Sequence, residues 1–352
     1  MIVNFIIILV IIIFILILNT ISNAELRNQR ERQFLLCVCL LLVLIAGLRG
    51  ENVGADTKYY LLDYSIISSL SISSVIEHYS SSGTGFYVLA KIFSLSGLSV
   101  HCFFGAVELL YCYAIYKFLM RFSDDKLFGI MCFCTMGLFG FSMAGLKQTV
   151  AMAFSLLALM LFMDKKYFWS IVLLILSIWC HRVSLISVVI IILYLIRGRI
   201  YYYPILFIFF LSVLVIGDTL WGQMIMQTGE EHYIDLYYEE NEGIAYTQFL
   251  FYSLLIVILS LSFKTYNARY NEECQLVYSG AIFSVAFYYL ATSFSVAFRV
   301  GYFFAPLFIL LVTNGTSPRI RRDPSLKRML MFLMIFFYLY SGRGFVYRFF
   351  WQ

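Results

Sequence analysis

Apolar runs of roughly membrane length recur along the whole chain and are separated by short polar or charged links. Read on their own, they predict helices at about 2 to 19, 34 to 48, 100 to 119, 127 to 144, 148 to 163, 167 to 180, 183 to 196, 202 to 220, 246 to 263, 276 to 294, 298 to 312 and 329 to 341. A run of ~20 apolar residues crosses a ~30 Å hydrocarbon core, and in lipid it must be helical because its backbone groups have no water to bond. The pattern predicts an all-α, polytopic transmembrane helical bundle of about 12 spans, with residues 1–352 forming a single integral membrane domain. No basic residue precedes the first run, Ile2 to Leu18, so it reads as a retained helix and not as a cleaved signal.

Composition agrees with the pattern: 62% of residues are hydrophobic, 13% are charged and the mean hydropathy is +0.87, which leaves no room for a soluble domain. The eight cysteines lie mostly inside apolar runs, without histidine or carboxylate partners at metal spacing, so they read as small hydrophobes and no metal or cofactor is expected. The net charge of +5 is scattered between spans, which fits anchoring at a membrane surface and gives no sign of nucleic-acid binding. No glycine-rich phosphate loop, HExxH motif or ordered Ser-His-Asp set occurs, so the chemistry of soluble enzymes is not supported.

Charge also places the loops. Residues 221–245 carry Glu230, Glu231, Asp235, Glu239, Glu240 and Glu242 with no lysine or arginine, so the positive-inside rule puts this aromatic, acidic loop outside. Alternation then sends the basic links, including Arg27 to Arg32, Lys165 with Lys166, Arg197 with Arg199, and Arg319 to Arg328, to the cytoplasm. The register holds only if Phe86 to Leu98 does not cross, which makes residues 49–99 an external loop with an amphipathic or re-entrant segment.

Four basic residues are then poorly explained as anchors. Arg49, Lys147, Arg182 and Arg299 come from four different turns and map to one external side, which suggests an anion site. Three of them have a plainer reading: Arg182 as a residue snorkelling from a tight turn, Arg299 as a structural partner of Asp56 or Glu108, and Lys147 as a cap-region lysine. His181, next to Arg182, is placed either to bond a phosphate or hydroxyl or to serve a structural purpose.

The stretches LRGENVGADTKYY, LKQTVAMAFSLLAL, WCHRVSLI and FRVGYFFAPLFILL, in that order over about residues 34 to 312, resemble the EpsG family of polysaccharide-biosynthesis membrane proteins, relatives of the Wzy-type O-antigen polymerases. The resemblance carries expectations. The fold would resemble GT-C-like membrane glycosyltransferases. The activity would join undecaprenyl-pyrophosphate-linked oligosaccharide repeat units, donor and acceptor, on the outer face of a bacterial inner membrane. A flippase and a chain-length regulator would be partners. Arg49, Lys147, Arg182 and Arg299 would hold pyrophosphate, and Gly54 would turn the loop. Asp56 would act as base or orient an arginine, with His181 beside it as the second catalytic candidate. Tyr60, Gln148, Trp221 and Tyr237 would face sugar.

Two departures stand out from the family pattern. An arginine-glutamine pair appears here as Lys147-Gln148, which keeps charge and loses the bidentate fork, and no acidic residue precedes the GF of SSGTGF. Two other activities stay open: a lipid-linked oligosaccharide flippase or other secondary transporter, and an O-antigen ligase-like glycosyltransferase. No half-to-half repeat of the transporter kind is evident.

Overall fold

The computed structural model describes residues 2–80, 83–216, 242–261, 265–267, 272–292, 297–318, 320, 324–341 and 347–351. Among them every named element is helical, and the single β contact is an isolated bridge between Arg49 and Phe349. The helices are α1 (Ile2–Thr20), α2 (Ala24–Gly47), α3 (Thr57–Ser69), α4 (Ile72–His78), α5 (Thr84–Ser94), α6 (Val100–Phe122), α7 (Lys126–Thr135), α8 (Leu138–Ala144), α9 (Leu146–Met163), α10 (Tyr167–Cys180), α11 (Ser187–Ile196), α12 (Tyr202–Ile216), α13 (Glu242–Ser260), α14 (Glu272–Leu290), α15 (Ala297–Gly315) and α16 (Ser325–Ser341). Four described helices are long and apolar enough to cross a membrane, and a fifth span results if α7 and α8 count as one. Several apolar runs form shorter helices, among them Tyr167–Cys180 and Tyr246–Ser260.

Three segments depart from the pattern reading. Residues 20–33, expected as a polar link, belong largely to α2, because Asn23 caps the helix: its Oδ1 accepts the N–H groups of Glu25 and Leu26, each at 3.0 Å. The apolar run 127 to 144 is not one straight helix. Gly137, at φ 83°, ends α7 and starts α8, and the two meet at a bend of 52°. The run 183 to 196 opens with a 3₁₀ turn at Arg182–Ile186 before α11 begins.

The chain divides into two compact units, residues 1–161, 167–181 and 325–352, and residues 162–166 and 182–324. In the first unit, α2 buries Leu35, Val38, Leu42 and Ile45, a helical stripe that faces α6. The two helices approach so closely that a Cβ on Gly47 would lie 3.3 Å from the Gly105 Cα. At the polar end, Lys126 Nζ pairs with Glu31 Oε2 at 3.0 Å, and Lys327 pairs with Asp125, tying the starts of α7 and α16 to the N-terminal half of α2. In the second unit α15 is buried almost end to end against α14. Gly280 has no Cβ because Leu307 occupies that space.

Residues 49–99 form α3, α4 and α5. With 11 residues, α5 is about 16 Å long, half of what a crossing helix needs. Within the serine-rich stretch that begins at Tyr64, the residues up to Ser69 lie in α3 and those from Ile72 to His78 form α4. The hydroxyls of Ser65, Ser68 and Ser69 donate back to carbonyls three residues earlier, and Ser71 caps α4. Trp221 and Tyr237, with most of the acidic loop, lie outside the described residues.

Candidate functional site

Arg49 follows directly on the end of α2, and its neighbours bond to the C-terminal segment. Gly50 N–H donates to the Arg348 carbonyl at 2.8 Å, Phe350 N–H donates to the Leu48 carbonyl at 3.0 Å, and the Tyr347 hydroxyl donates to the Ile45 carbonyl at 2.5 Å. With the backbone held in this way, the side chain folds inward and is 0% exposed. Its Nη1 donates to the Ala46 carbonyl at 2.6 Å, its Nε donates to Thr57 Oγ1 at 3.3 Å, and the guanidinium lies 4.1 Å from the centre of the Phe104 ring. Its Nη2 has no hydrogen-bond partner among the described residues. Burial pushes this guanidinium down to about 10 from 12.5, while Glu108, Tyr347 and Tyr60 pull it partly back. The protein thus leaves a buried cation undercompensated, with donor capacity to spare.

The loop after Arg49 is hung on the end of α8. Gly54 has φ 89°, and a Cβ there would strike the Met143 carbonyl oxygen. Thr57 Oγ1 accepts from Arg49, donates to the Val53 carbonyl at 2.5 Å and lies 3.3 Å from the Met143 carbonyl. Asp56 is buried at the start of α3. Its carbonyl accepts the N–H groups of Tyr59 and Tyr60, both at 3.1 Å, and its carboxylate does not cap the helix.

From Tyr60 a series of contacts runs to the remaining candidates of this unit. The Tyr60 ring meets Phe86 edge-on at 5.6 Å, Phe86 adjoins Tyr87 at 5.4 Å, and Lys147 Nζ lies 5.5 Å from the Tyr87 ring centre. Gly83, at φ 83°, brings the start of α5 against the Cys180 carbonyl at the end of α10, with the Lys147 side chain beside it. His181 follows Cys180, is 9% exposed and donates its backbone N–H to Ser177 at 2.9 Å. Gln148 is buried in the first turn of α9, its Nε2 3.9 Å from Met152 Sδ.

The first unit therefore holds Arg49, Asp56, Tyr60, Lys147, Gln148 and His181. Arg182 and Arg299 belong to the second unit. There, Arg182 is exposed at the head of the 3₁₀ turn, and Arg299 is half-buried in the first turn of α15, interacting electrostatically with Tyr302.

The contacts that fix Arg49 include residues the sequence reading did not select: Thr57, Phe104, the Met143 carbonyl and the C-terminal residues from Tyr347 to Phe350. Glu108, within an apolar run, carried a legible signal as an ionisable group inside a span, and was weighed only as a partner for Arg299. The C-terminal contact had no such signal, because backbone pairing leaves no trace in residue type.

The family model described as the EpsG family matches residues 32–349, beyond the 34 to 312 over which the motifs are visible, and takes in Arg348 and Phe349, which pair with the Arg49 loop. No curated protein and no solved structure matches the chain. A match over nearly the whole length, together with apolar helices long enough to cross a bilayer, makes the chain a membrane protein that belongs to the EpsG family, a Wzy-type polymerase-like family whose membership points to polysaccharide polymerisation.

Proposed function

We propose that the protein is a polymerase that joins undecaprenyl-pyrophosphate-linked oligosaccharide repeat units on the outer face of the bacterial inner membrane, in O-antigen or exopolysaccharide synthesis. The observation that carries this reading is Arg49, a fully buried guanidinium whose Nη2 has no partner among the described residues, in the most distinctive motif of the chain. A buried cation with a donor left unfilled is costly, and a diphosphate is the kind of ligand that completes its compensation.

In this reaction a hydroxyl of the acceptor sugar attacks the anomeric carbon of the donor. A new C–O bond forms, the bond from that carbon to the pyrophosphate oxygen breaks, and undecaprenyl pyrophosphate leaves. Negative charge builds on the departing oxygens, and a fixed cation in a water-poor setting stabilises it with little reorganisation. Arg49 takes that part, with Lys147 as a point charge and Arg182 and Arg299 as further phosphate contacts. Asp56 accepts the proton of the attacking hydroxyl or orients an arginine, and His181 bonds the phosphate or the hydroxyl. Tyr60 and Gln148 contact sugar, as do Trp221 and Tyr237 of the acidic loop. No metal takes part in this scheme. A flippase supplies the lipid-linked units, and a chain-length regulator acts beside the polymerase.

Purified protein incubated in detergent with two lipid-linked repeat units tests this reading. The expected product is a ladder of polymers formed without any other protein. Unchanged substrate, with the protein folded and monodisperse, defeats the polymerase reading and favours a flippase. Transfer of one completed chain to a different lipid acceptor, without a ladder, favours a ligase.

A further inference from the structure

Glu108 is a carboxylate in the middle of α6, within a membrane-length apolar helix, and it is 1% exposed. An ionisable group in such a place is costly unless something nearby uses it. Its Oε2 accepts from Ser142 Oγ at 2.6 Å and its Oε1 from Cys112 Sγ at 3.4 Å. The Ser142 hydroxyl also lies 2.7 Å from the Phe139 carbonyl, but it has a single proton, and a carboxylate is the stronger acceptor.

Two routes lead from Glu108 to Arg49. One runs along α6: Phe104, one turn earlier, lies against the guanidinium, which is also within electrostatic reach of Glu108. The other runs through α8: Ser142 precedes Met143, whose carbonyl faces both Thr57 Oγ1 and Gly54, and Thr57 holds Arg49 Nε. The bend at Gly137 gives α8 a direction of its own, so α8 needs its own tie to the bundle.

We propose that Glu108 is a positioning residue for Arg49. Its bond to Ser142 fixes the end of α8 from which the Arg49 loop hangs, and its charge orients the guanidinium. The proposal rests on the reading of Arg49 as the cation that stabilises the leaving diphosphate. It names a partner that neither the motifs nor the family match supplies.

The test is a double-mutant cycle on the full chain, with kcat and KM for lipid-linked repeat units measured for the wild type, Glu108→Gln, Arg49→Lys and the double variant. Glu108→Gln keeps the shape and a hydrogen bond to Ser142 while removing the charge. The interaction of Arg49 strengthens as the pyrophosphate departs, so a misaligned guanidinium lowers kcat about tenfold and leaves KM within about twofold. On the Arg49→Lys background the same change lowers kcat by less than about twofold, because the group being oriented is already gone. Equal losses on both backgrounds, or an undiminished kcat in Glu108→Gln, overturn the proposal. Should Glu108→Gln fail to fold, Ser142→Ala carries the same cycle, since it removes the tie and keeps the charge. A wild-type protein that forms no ladder defeats the polymerase reading separately. The cycle is then read from the shift in thermal midpoint caused by undecaprenyl pyrophosphate. Non-additive losses of that shift uphold the role of Glu108, and additive losses or no wild-type shift overturn it.

Discussion

Arg49→Ala lowers the rate of repeat-unit polymerisation by about 100- to 1,000-fold, the loss expected when a fixed donor to developing negative charge is removed. The measurement is the initial rate of ladder formation, normalised to monodisperse protein. Normalisation matters because the side chain also bonds Ala46 and Thr57 and lies over Phe104, so part of any loss in a crude membrane assay reflects folding. Arg49→Lys separates charge from geometry. An ammonium keeps the positive charge and gives up the planar fork, and its rate falls between those of the wild type and the alanine variant. A rate for Arg49→Ala within about threefold of the wild type removes Arg49 from the chemistry and leaves it a purely structural role.

Gly54→Ala gives the second large effect, and it comes from backbone geometry alone. At φ 89° an L-residue pays about 1 kcal/mol or more in conformational strain, and here its methyl group also meets the Met143 carbonyl. The loop has to move off α8, which carries Thr57 and with it Arg49 out of register. A displacement of about 1 Å at a reacting centre costs on the order of 100-fold in rate. Gly97→Ala is the control. Gly97 has φ 72° with nothing within 4 Å of the added methyl, so it suffers comparable strain without the collision. Ladder assays and thermal midpoints on the two variants are expected to show a lowered midpoint for both and a lost rate for Gly54→Ala only. Equal rates in the two would place the Gly54 loop outside the site.

Much of the helical architecture was legible in the sequence, because one physical requirement dominates it. An apolar run in lipid has to bond its own backbone, so the runs 148 to 163 and 167 to 180 appear almost unchanged as α9 and α10. Polar starts were harder to read. The first turns of α2 are charged, so hydropathy assigns them to a link, whereas the Asn23 cap and the Glu31–Lys126 pair make them helical. The break at Gly137 was hidden for the opposite reason: the sequence stays apolar across it, and only the left-handed backbone of one glycine divides α7 from α8.

The candidate site shows in the sequence through its charges, and its supports do not. Arg49 stood out as a cation at the end of an apolar run, since such a placement is costly unless used. Its contacts were not visible, because a carbonyl of Ala46, the face of Phe104 and the pairing of Gly50 with Arg348 depend on where backbones meet. Lys147 and His181 were likewise selected by type, and what brings them near α5 is the absence of side chains at Gly83 and Gly85, where Cys180 and Trp179 fill the space. Gly85 in particular would place a Cβ 2.8 Å from the Trp179 ring, a constraint of packing that no motif describes.

The measurement that tests the central claim most directly is binding of undecaprenyl pyrophosphate to the purified protein, compared with undecaprenyl monophosphate and repeated on Arg49→Ala. The account predicts that the diphosphate raises the thermal midpoint of the wild type more than the monophosphate does, and that Arg49→Ala loses most of that difference. Equal responses to the two lipids, or an Arg49→Ala variant that responds as the wild type does, would contradict the assignment of Arg49 to a leaving diphosphate.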